Sequence, residues 1–251
     1  MNALLEFGGA FVDGLGVVLR AFEGFVAPLT GAWAWGFAIM LLTLAVRIIL
    51  LPLTIKQVNS MRGMQKLQPE VKKLQKKYKV DKTLMKTNPD KYRAQRQRQQ
   101  EAMMSLYKEH NVNPMGGCLP LLAQMPIFFA LFRLLYTDRI PELDTSGFVG
   151  ITSLAETPAN AGIGAIVLVV LMALSTFYQQ KQMMDNNPAS ADNPQQKILL
   201  YALPAMLLFI SFQIPAGVLV YWVTTNLWTI GQQFIMFRNV SKSESAPSKA
   251  A

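Results

Sequence analysis

Residues 31–53 read GAWAWGFAIMLLTLAVRIILLPL, and this run decides the fold. About 20 consecutive apolar residues allow an α-helix to cross the hydrocarbon core of a bilayer. The run has that length, and Arg47 is its only charged residue. It therefore predicts a membrane span with a cation inside it, followed after Pro52 by a basic segment.

The composition of the whole chain is typical of a protein that lies largely in lipid. Of its 251 residues, 51% are hydrophobic and 16% are charged, whereas soluble domains carry about 25% charged residues. Cys118 is the only cysteine and His110 the only histidine, which excludes an internal disulfide and a His–Cys zinc cluster. No phosphate-binding loop, H-E-x-x-H motif or membrane-embedded acid is found. We therefore expect no enzyme, no cofactor and no metal ion.

Further apolar regions follow the first span. The region from Ile198 to Phe237 is too long for one helix, and the turn signal at 213–217 divides it into two. The sequence thus predicts an all-α polytopic membrane protein with five transmembrane helices. These are expected at 30–57 and at about 117–136, 162–180, 198–212 and 217–237, with a tail at 238–251.

Residues 1–29 predict an amphipathic helix at the outer membrane surface. Phe11, Leu15, Val18 and Phe22 recur at spacings of three and four, and charged residues interrupt the apolar stretches. A poor transmembrane span or an uncleaved signal is the alternative. No cleavable signal peptide is expected, because a basic leader with a small-residue cleavage site is not evident.

Residues 58–115 predict a basic helical hairpin. Between positions 60 and 113, 14 Lys and Arg stand against 5 Asp and Glu, whereas the rest of the chain holds 10 of each. Positive loops lie on the cytoplasmic side, which places the N-terminus outside and the C-terminus inside. The hairpin could bind RNA phosphates or anionic lipids, and a solvated pair of charged helices is the alternative.

The two arms of this hairpin carry narrow apolar stripes. The arms run from Ser60 to about Tyr78 and from Pro89 to about Glu109, with Asn88-Pro89 as the break signal. Spacings of three and four place apolar side chains on one face of each arm. The stripes consist of Met61, Met64, Leu67, Val71, Leu74 and Tyr78 in the first arm, and of Met103, Leu106 and Tyr107 in the second.

Arg47 is the strongest candidate for a functional residue. A charge at the centre of a membrane helix costs about 2.5–3.5 kcal/mol on insertion scales, so such residues usually face a bundle interior or a water-filled cavity. Thr43 lies one turn earlier on roughly the same face. Snorkelling of Arg47 to the headgroups is the alternative. The last predicted span is polar along much of its length, which favours an internal site, although polar residues also hold membrane helices together.

Several motifs carry a family resemblance. They are YKEHNVNPMGGCLP at 107–120, QMPIF at 124–128, NPQQK at 193–197, and PAG at 215–217 followed by YW at 221–222. Together with the spacing of Arg47 and Pro52, they resemble the YidC/Oxa/Alb membrane insertases over about residues 30–240. Compared with some members, we expect no large external domain and only a short tail, and the 80–99 region carries extra basic residues.

The resemblance implies a five-helix bundle with a hydrophilic groove open to the cytoplasm and to lipid. Arg47 takes the position of the family arginine, which attracts the acidic, unstructured ends of substrate proteins. The other residues that would line the groove are Thr43, Gln124, Phe128, Met172, Trp222 and Asn226.

The resemblance also implies partners and a location. Nascent membrane proteins with acidic tails would be the substrates, and the 60–113 hairpin would meet the ribosome, the signal-recognition receptor, the Sec translocon or anionic lipids. The expected location is the bacterial cell membrane. The predicted function is insertion of single-span and small multi-span proteins. A membrane scaffold is the main rival, and a small-solute transporter is disfavoured because no internal repeat is apparent.

Overall fold

The part of the chain that the structure describes is almost entirely helical. A computed structural model describes residues 2–81, 83–112, 119–136, 140–185 and 194–244. Helix accounts for 82% of the structure, and the described part holds no strand beyond one bridge between Phe148 and Ile151. The predicted all-α fold is confirmed. The described helices are α1 Asn2–Thr30, α2 Ala34–Ile49, α3 Leu51–Lys66, α4 Gln68–Lys77, α5 Leu84–Thr87, α6 Pro89–Glu109, α7 Leu119–Tyr136, α8 Ile163–Asp185, α9 Pro194–Ser211 and α10 Ala216–Glu244.

The helices belong to two compact units. One unit consists of Met1–Leu51, Leu121–Lys181 and Ile198–Ala251, and the other of Pro52–Pro120 and Gln182–Lys197. The first holds the larger core, to which five helices each contribute a fully buried side chain: Leu19 of α1, Ile39 of α2, Leu131 of α7, Val169 of α8 and Leu219 of α10.

Helix α1 packs through a face that overlaps the predicted stripe only in part. Val12, Leu19 and Val26 are buried, whereas Phe11 and Val18 are 37% and 41% exposed. The two remaining stripe residues, Leu15 and Phe22, pack at the edge of the core. The expectation of a helix over 1–29 agrees with α1, and its place at the membrane surface stays a prediction.

The first predicted span, 30–57, contains two breaks in its helix. A 3-10 turn at Gly31–Trp33 separates α1 from α2, and a second break at Leu50 separates α2 from α3. The amide of Leu50 donates to the carbonyl of Val46 at 2.9 Å. Pro52, which has no N–H, then lies in the first turn of α3, where proline is tolerated. Helix α3 continues past the predicted boundary at 57 without interruption.

The remaining predicted spans coincide with helices. Helix length and hydropathy, however, do not identify five membrane-spanning helices. In the described residues, two segments are long and apolar enough to cross a bilayer, Gly8–Ile49 and Ile163–Gln182. Two further apolar helices are shorter, Gln124–Tyr136 and Leu200–Ser211. The last helix, α10, is rich in Thr, Asn and Gln, which lowers its hydropathy. The count of five membrane spans therefore remains a prediction.

The loop from 140 to 162 is folded onto the first unit. The amide of Gly217 donates to the carbonyl of Leu154 at 2.8 Å, and the amide of Ala216 donates to the carbonyl of Glu156 at 2.9 Å. These bonds satisfy amides at the start of α10 that have no partner within the helix. Arg20 of α1 forms a salt bridge of 2.5 Å with Glu142 of the loop, which ties α1 to the loop.

In the second unit, α4 and α6 pack against each other. Leu67 and Val71 are buried with Tyr107, as their predicted stripes require, and burial raises the pKa of the Tyr107 hydroxyl. Helix α6 begins at Pro89, as predicted, with the Asn88 side chain accepting a hydrogen bond from the Lys91 amide at 3.1 Å. The stripes of the two arms are therefore confirmed at their centre. Their place in the cytoplasm stays a prediction.

Candidate functional site

Arg47 lies in the last turn of α2, half-buried in the first unit. Among the described residues, no carboxylate pairs with its guanidinium. The hydroxyl of Tyr221 on α10 lies within electrostatic range of Arg47. Helix α10 can approach α2 closely because Gly217 has no side chain, and a Cβ there would stand 3.3 Å from Ile39 Cδ1. The arginine is therefore a cation held against a polar helix, with no paired carboxylate in the part of the chain that the structure describes.

Three other predicted groove residues lie together where α7 meets α10. Gln124 donates a hydrogen bond from Nε2 to the Tyr221 hydroxyl. The ring of Phe128 lies 5.3 Å from Trp222 in an edge-to-face arrangement and 6.4 Å from Tyr221, measured between ring centroids. Gln124, Phe128 and Trp222 are all half-buried. Tyr221, which is 3% exposed, joins this cluster to Arg47.

The predicted groove residues Thr43, Met172 and Asn226 are buried. Thr43 is 1% exposed and its hydroxyl donates to the carbonyl of Ile39 at 2.7 Å. Met172 is fully buried. Asn226 is 3% exposed, and its Nδ2 donates to the hydroxyls of Ser175 and Thr176 on α8, each at 2.9 Å. These three residues have structural contacts, and a role in contacting substrate remains a prediction.

Tyr221 is the residue of this cluster that the sequence did not single out as a site. It belongs to a motif that carries the family resemblance, but its contacts depend on the approach of α7 to α10. One sequence feature could have indicated Tyr221: it lies next to Trp222 in a helix that is unusually polar for a membrane span. Its buried ring and bonded hydroxyl make it the centre of the cluster.

Metal ligands are not assembled in the described residues. No group of three or more His, Cys, Asp or Glu side chains lies close enough together there to hold an ion. Arg47, the Gln124–Tyr221 pair and the aromatic rings can instead bind an anion, a hydrogen-bonding group and an apolar chain.

Comparison with known proteins assigns the chain to a family. The family described as 60Kd inner membrane protein matches residues 25–244. The chain belongs to this family. Three proteins named membrane protein insertase YidC are also similar to the chain over most of its length.

Over the aligned residues, these YidC relatives are between 37% and 39% identical to the chain. The protein of Streptomyces avermitilis is 39% identical over 238 residues, which cover 82% of this chain and 52% of the relative. That of Fusobacterium nucleatum subsp. nucleatum is 37% identical over 223 residues, 88% of this chain and 96% of the relative. That of Anaeromyxobacter sp. (strain K) is 37% identical over 250 residues, 100% of this chain and 40% of the relative. The chain thus spans about half the length of the first relative and nearly all of the second.

The fold is also similar to a solved structure of the YidC family. That structure is the crystal structure of an active YidC insertase with its first transmembrane domain resolved. The TM-score is 0.64 and the sequence identity 28%, with 88% of this chain and 46% of that chain covered. The predicted resemblance to the YidC/Oxa/Alb insertases is confirmed.

Proposed function

We propose that the chain is a membrane protein insertase that uses Arg47 to draw the acidic tail of a substrate into the bundle. The observation that carries this proposal is the half-buried guanidinium of Arg47, which has no carboxylate partner in the described residues. A cation in that setting is costly. Binding of a substrate carboxylate offsets the cost, and the family membership supports the same function.

The energetics favour a tail that binds transiently. Two unit charges 4 Å apart attract by about 4 kcal/mol at an effective dielectric constant of 20, against about 1 kcal/mol in water. That difference lowers the barrier for an acidic tail to leave the cytoplasm. Each CH₂ group of the substrate that then enters lipid contributes about 0.8 kcal/mol. Release of the tail to water on the far side returns Arg47 to its starting state.

We propose the predicted topology for this mechanism. Helices α2, α7, α8, α9 and α10 cross the membrane, α1 lies at the outer surface, and residues 58–115 stand in the cytoplasm as a hairpin. The distribution of charge supports this orientation, because the excess of Lys and Arg lies between 60 and 113. The exposed apolar side chains of α8 and α9 support contact with lipid; they are Ile163, Ile166, Val167, Val170, Leu171, Leu174, Ile198, Met206, Phe209 and Ile210.

The proposed groove has an open part and a wall. Arg47, Gln124, Phe128 and Trp222 are half-buried and form the open part, whereas the buried Thr43, Met172 and Asn226 form its wall. Nascent membrane proteins with acidic tails are the proposed substrates.

The hairpin is the proposed contact for the ribosome, the signal-recognition receptor, the Sec translocon and anionic lipids. Four lysines of α4 support an anionic partner, because all four are exposed: Lys72, Lys73, Lys76 and Lys77.

An insertion assay separates this function from a scaffold. Purified protein is reconstituted into vesicles, and insertion of a single-span substrate with an acidic tail is measured by protection from protease. Arg47→Ala should lower insertion, while Arg133→Ala, which removes an exposed arginine from the last turn of α7, should leave it near the wild-type level. A scaffold would assemble with partner proteins equally well with either variant and would insert nothing by itself.

A further inference from the structure

The side-chain amide of Gln124 has one polar atom bonded and the other unpaired. Its Nε2 donates to the Tyr221 hydroxyl, and its Oε1 is buried without a hydrogen-bond partner among the residues that the structure describes. A buried polar atom without a partner costs free energy that a partner recovers. The position is therefore ready to accept a hydrogen bond from a group that is not part of the described protein.

Tyr221 fixes the position of the Gln124 side-chain amide. Tyr221 is held by burial and by the packing of its ring against Phe128, with 6.4 Å between the centroids, so its hydroxyl is a fixed anchor for the amide. If the amide turns over, its two polar atoms exchange places and the tyrosine hydroxyl donates instead of accepting. In the observed orientation Nε2 binds Tyr221 and Oε1 has no hydrogen-bond partner among the described residues.

The tyrosine that orients the amide also interacts electrostatically with Arg47. The Tyr221 hydroxyl that binds Gln124 is within electrostatic range of Arg47. A carboxamide is the side-chain equivalent of a peptide group, because each offers one N–H face and one C=O face. An acidic residue in an extended chain carries its carboxylate within a few ångströms of its own peptide groups.

We propose that Gln124, oriented by Tyr221, hydrogen-bonds one backbone peptide group of the substrate tail while Arg47 attracts a neighbouring carboxylate. This assignment rests on the proposed function and adds a feature of the substrate to it. The site therefore recognises an acidic residue together with the extended backbone beside it, and negative charge alone is not sufficient. The substrate reaches the amide by displacing the half-buried rings beside it, Phe128 and Trp222. Side-chain rearrangements of this size are common when partners bind.

A backbone ester in the substrate tests the assignment. Esters are introduced one at a time along the acidic tail of a synthetic single-span substrate, where each removes one N–H and weakens one carbonyl acceptor. With wild-type protein in vesicles, an ester at the recognised position should slow insertion about three- to tenfold, the effect of one lost hydrogen bond. With Gln124→Leu the same ester should have no further effect.

Two variants complete this experiment. Tyr221→Phe keeps the ring and removes the hydroxyl, so it should reduce the ester effect as Gln124→Leu does, and it replaces Gln124→Leu if that variant does not fold. Gln232→Leu is the matched control, because both ends of the Gln232 amide already have partners, Trp228 Nε1 at 2.9 Å and Met236 Sδ at 3.9 Å. The control should show the full ester effect.

The outcomes test the role of Gln124 separately from the proposed insertase function. Ester effects of equal size in wild type, Gln124→Leu and Tyr221→Phe overturn the role of Gln124, even where Arg47→Ala abolishes insertion. Failure of the wild-type protein to insert the unmodified substrate overturns the proposed function itself.

Discussion

The side-chain amide of Asn226 on α10 donates a 2.9 Å hydrogen bond to the hydroxyl of Thr176 on α8. The same amide donates to Ser175 at 2.9 Å. Both bonds are formed one turn after Trp222, so they fix α8 against the part of α10 that carries the candidate site. Polar contacts of this kind join helices in membranes.

Replacing Asn226 by leucine should therefore destabilise the bundle. Hydrogen bonds between membrane helices contribute about 0.6 kcal/mol on average and up to about 1.7 kcal/mol. We expect Asn226→Leu to lower the free energy of unfolding in detergent by an amount in that range, measured by thermal or denaturant unfolding. The control is Thr229→Val, because the Thr229 hydroxyl bonds within its own helix, to the Thr225 carbonyl at 2.8 Å. Equal stability of Asn226→Leu and wild type would contradict the role of these bonds.

Gly36 should not tolerate a larger residue. The ring of Phe148, from the 140–162 loop, covers Gly36 so closely that a Cβ atom there would overlap the ring. Gly36→Val should displace Phe148 and loosen the loop, at a cost of about 1–3 kcal/mol for overpacking. Limited proteolysis or hydrogen exchange of residues 140–162 measures this effect. Gly24→Val is the control, because a Cβ at Gly24 meets nothing within 4 Å, and similar protection in the two variants would exclude the proposed packing.

The tie between α1 and the loop should weaken in acid. The pKa of the Glu142 carboxyl is lowered, mainly because its side chain accepts a hydrogen bond from Arg20. A carboxyl with a lowered pKa in the folded state stabilises the fold above its unfolded pKa, near 4.3, and loses that contribution as the pH falls through the lower folded value. The pair is exposed, so its contribution is at most about 1 kcal/mol. Glu142→Gln should abolish this part of the acid dependence of the melting temperature, and an unchanged pH profile would refute it.

Val71 should stabilise the contact between α4 and α6 in the second unit. Its side chain is 3% exposed and packs with Leu67 and Tyr107. Val71→Ala removes two buried carbons and should destabilise the contact of α4 with α6 by about 1–2 kcal/mol. Hydrogen exchange of both helices should then rise, whereas Lys72→Ala, at an exposed neighbour, should leave it unchanged. Equal protection in the two variants would show that this core does not hold the helices together.

Local signals predicted much of the helical architecture. Asn88-Pro89 marks the start of α6 because a capping side chain and a proline both act within one turn, and the structure begins α6 at Pro89. The stripes that contain Val71 and Tyr107 predicted which faces pack, since their opposite faces are charged. The break at Leu50 was not predicted, although Pro52, two residues later, is a signal for the first turn of a new helix.

Packing in the first unit was harder to predict. Phe11 and Val18 belong to the predicted stripe of α1, yet Val12 and Leu19 are buried in their place. Where lipid can surround a helix, more than one face is apolar, so periodicity does not identify the face that meets protein. Tyr221 is important because its hydroxyl bonds to Gln124, which is 97 positions away in the sequence. No local sequence pattern reveals a contact between residues so far apart.

The dependence of insertion rate on tail charge tests the role of Arg47 most directly. Two single-span substrates that differ only in an acidic or a neutral tail are inserted into vesicles that contain wild-type protein or Arg47→Ala. We predict that wild type inserts the acidic tail faster by at least about tenfold, which corresponds to about 1.4 kcal/mol, and that Arg47→Ala removes this preference. Arg47→Lys should retain much of it if charge alone is sufficient. A preference for the acidic tail that is as large in Arg47→Ala as in wild type would contradict the proposed mechanism.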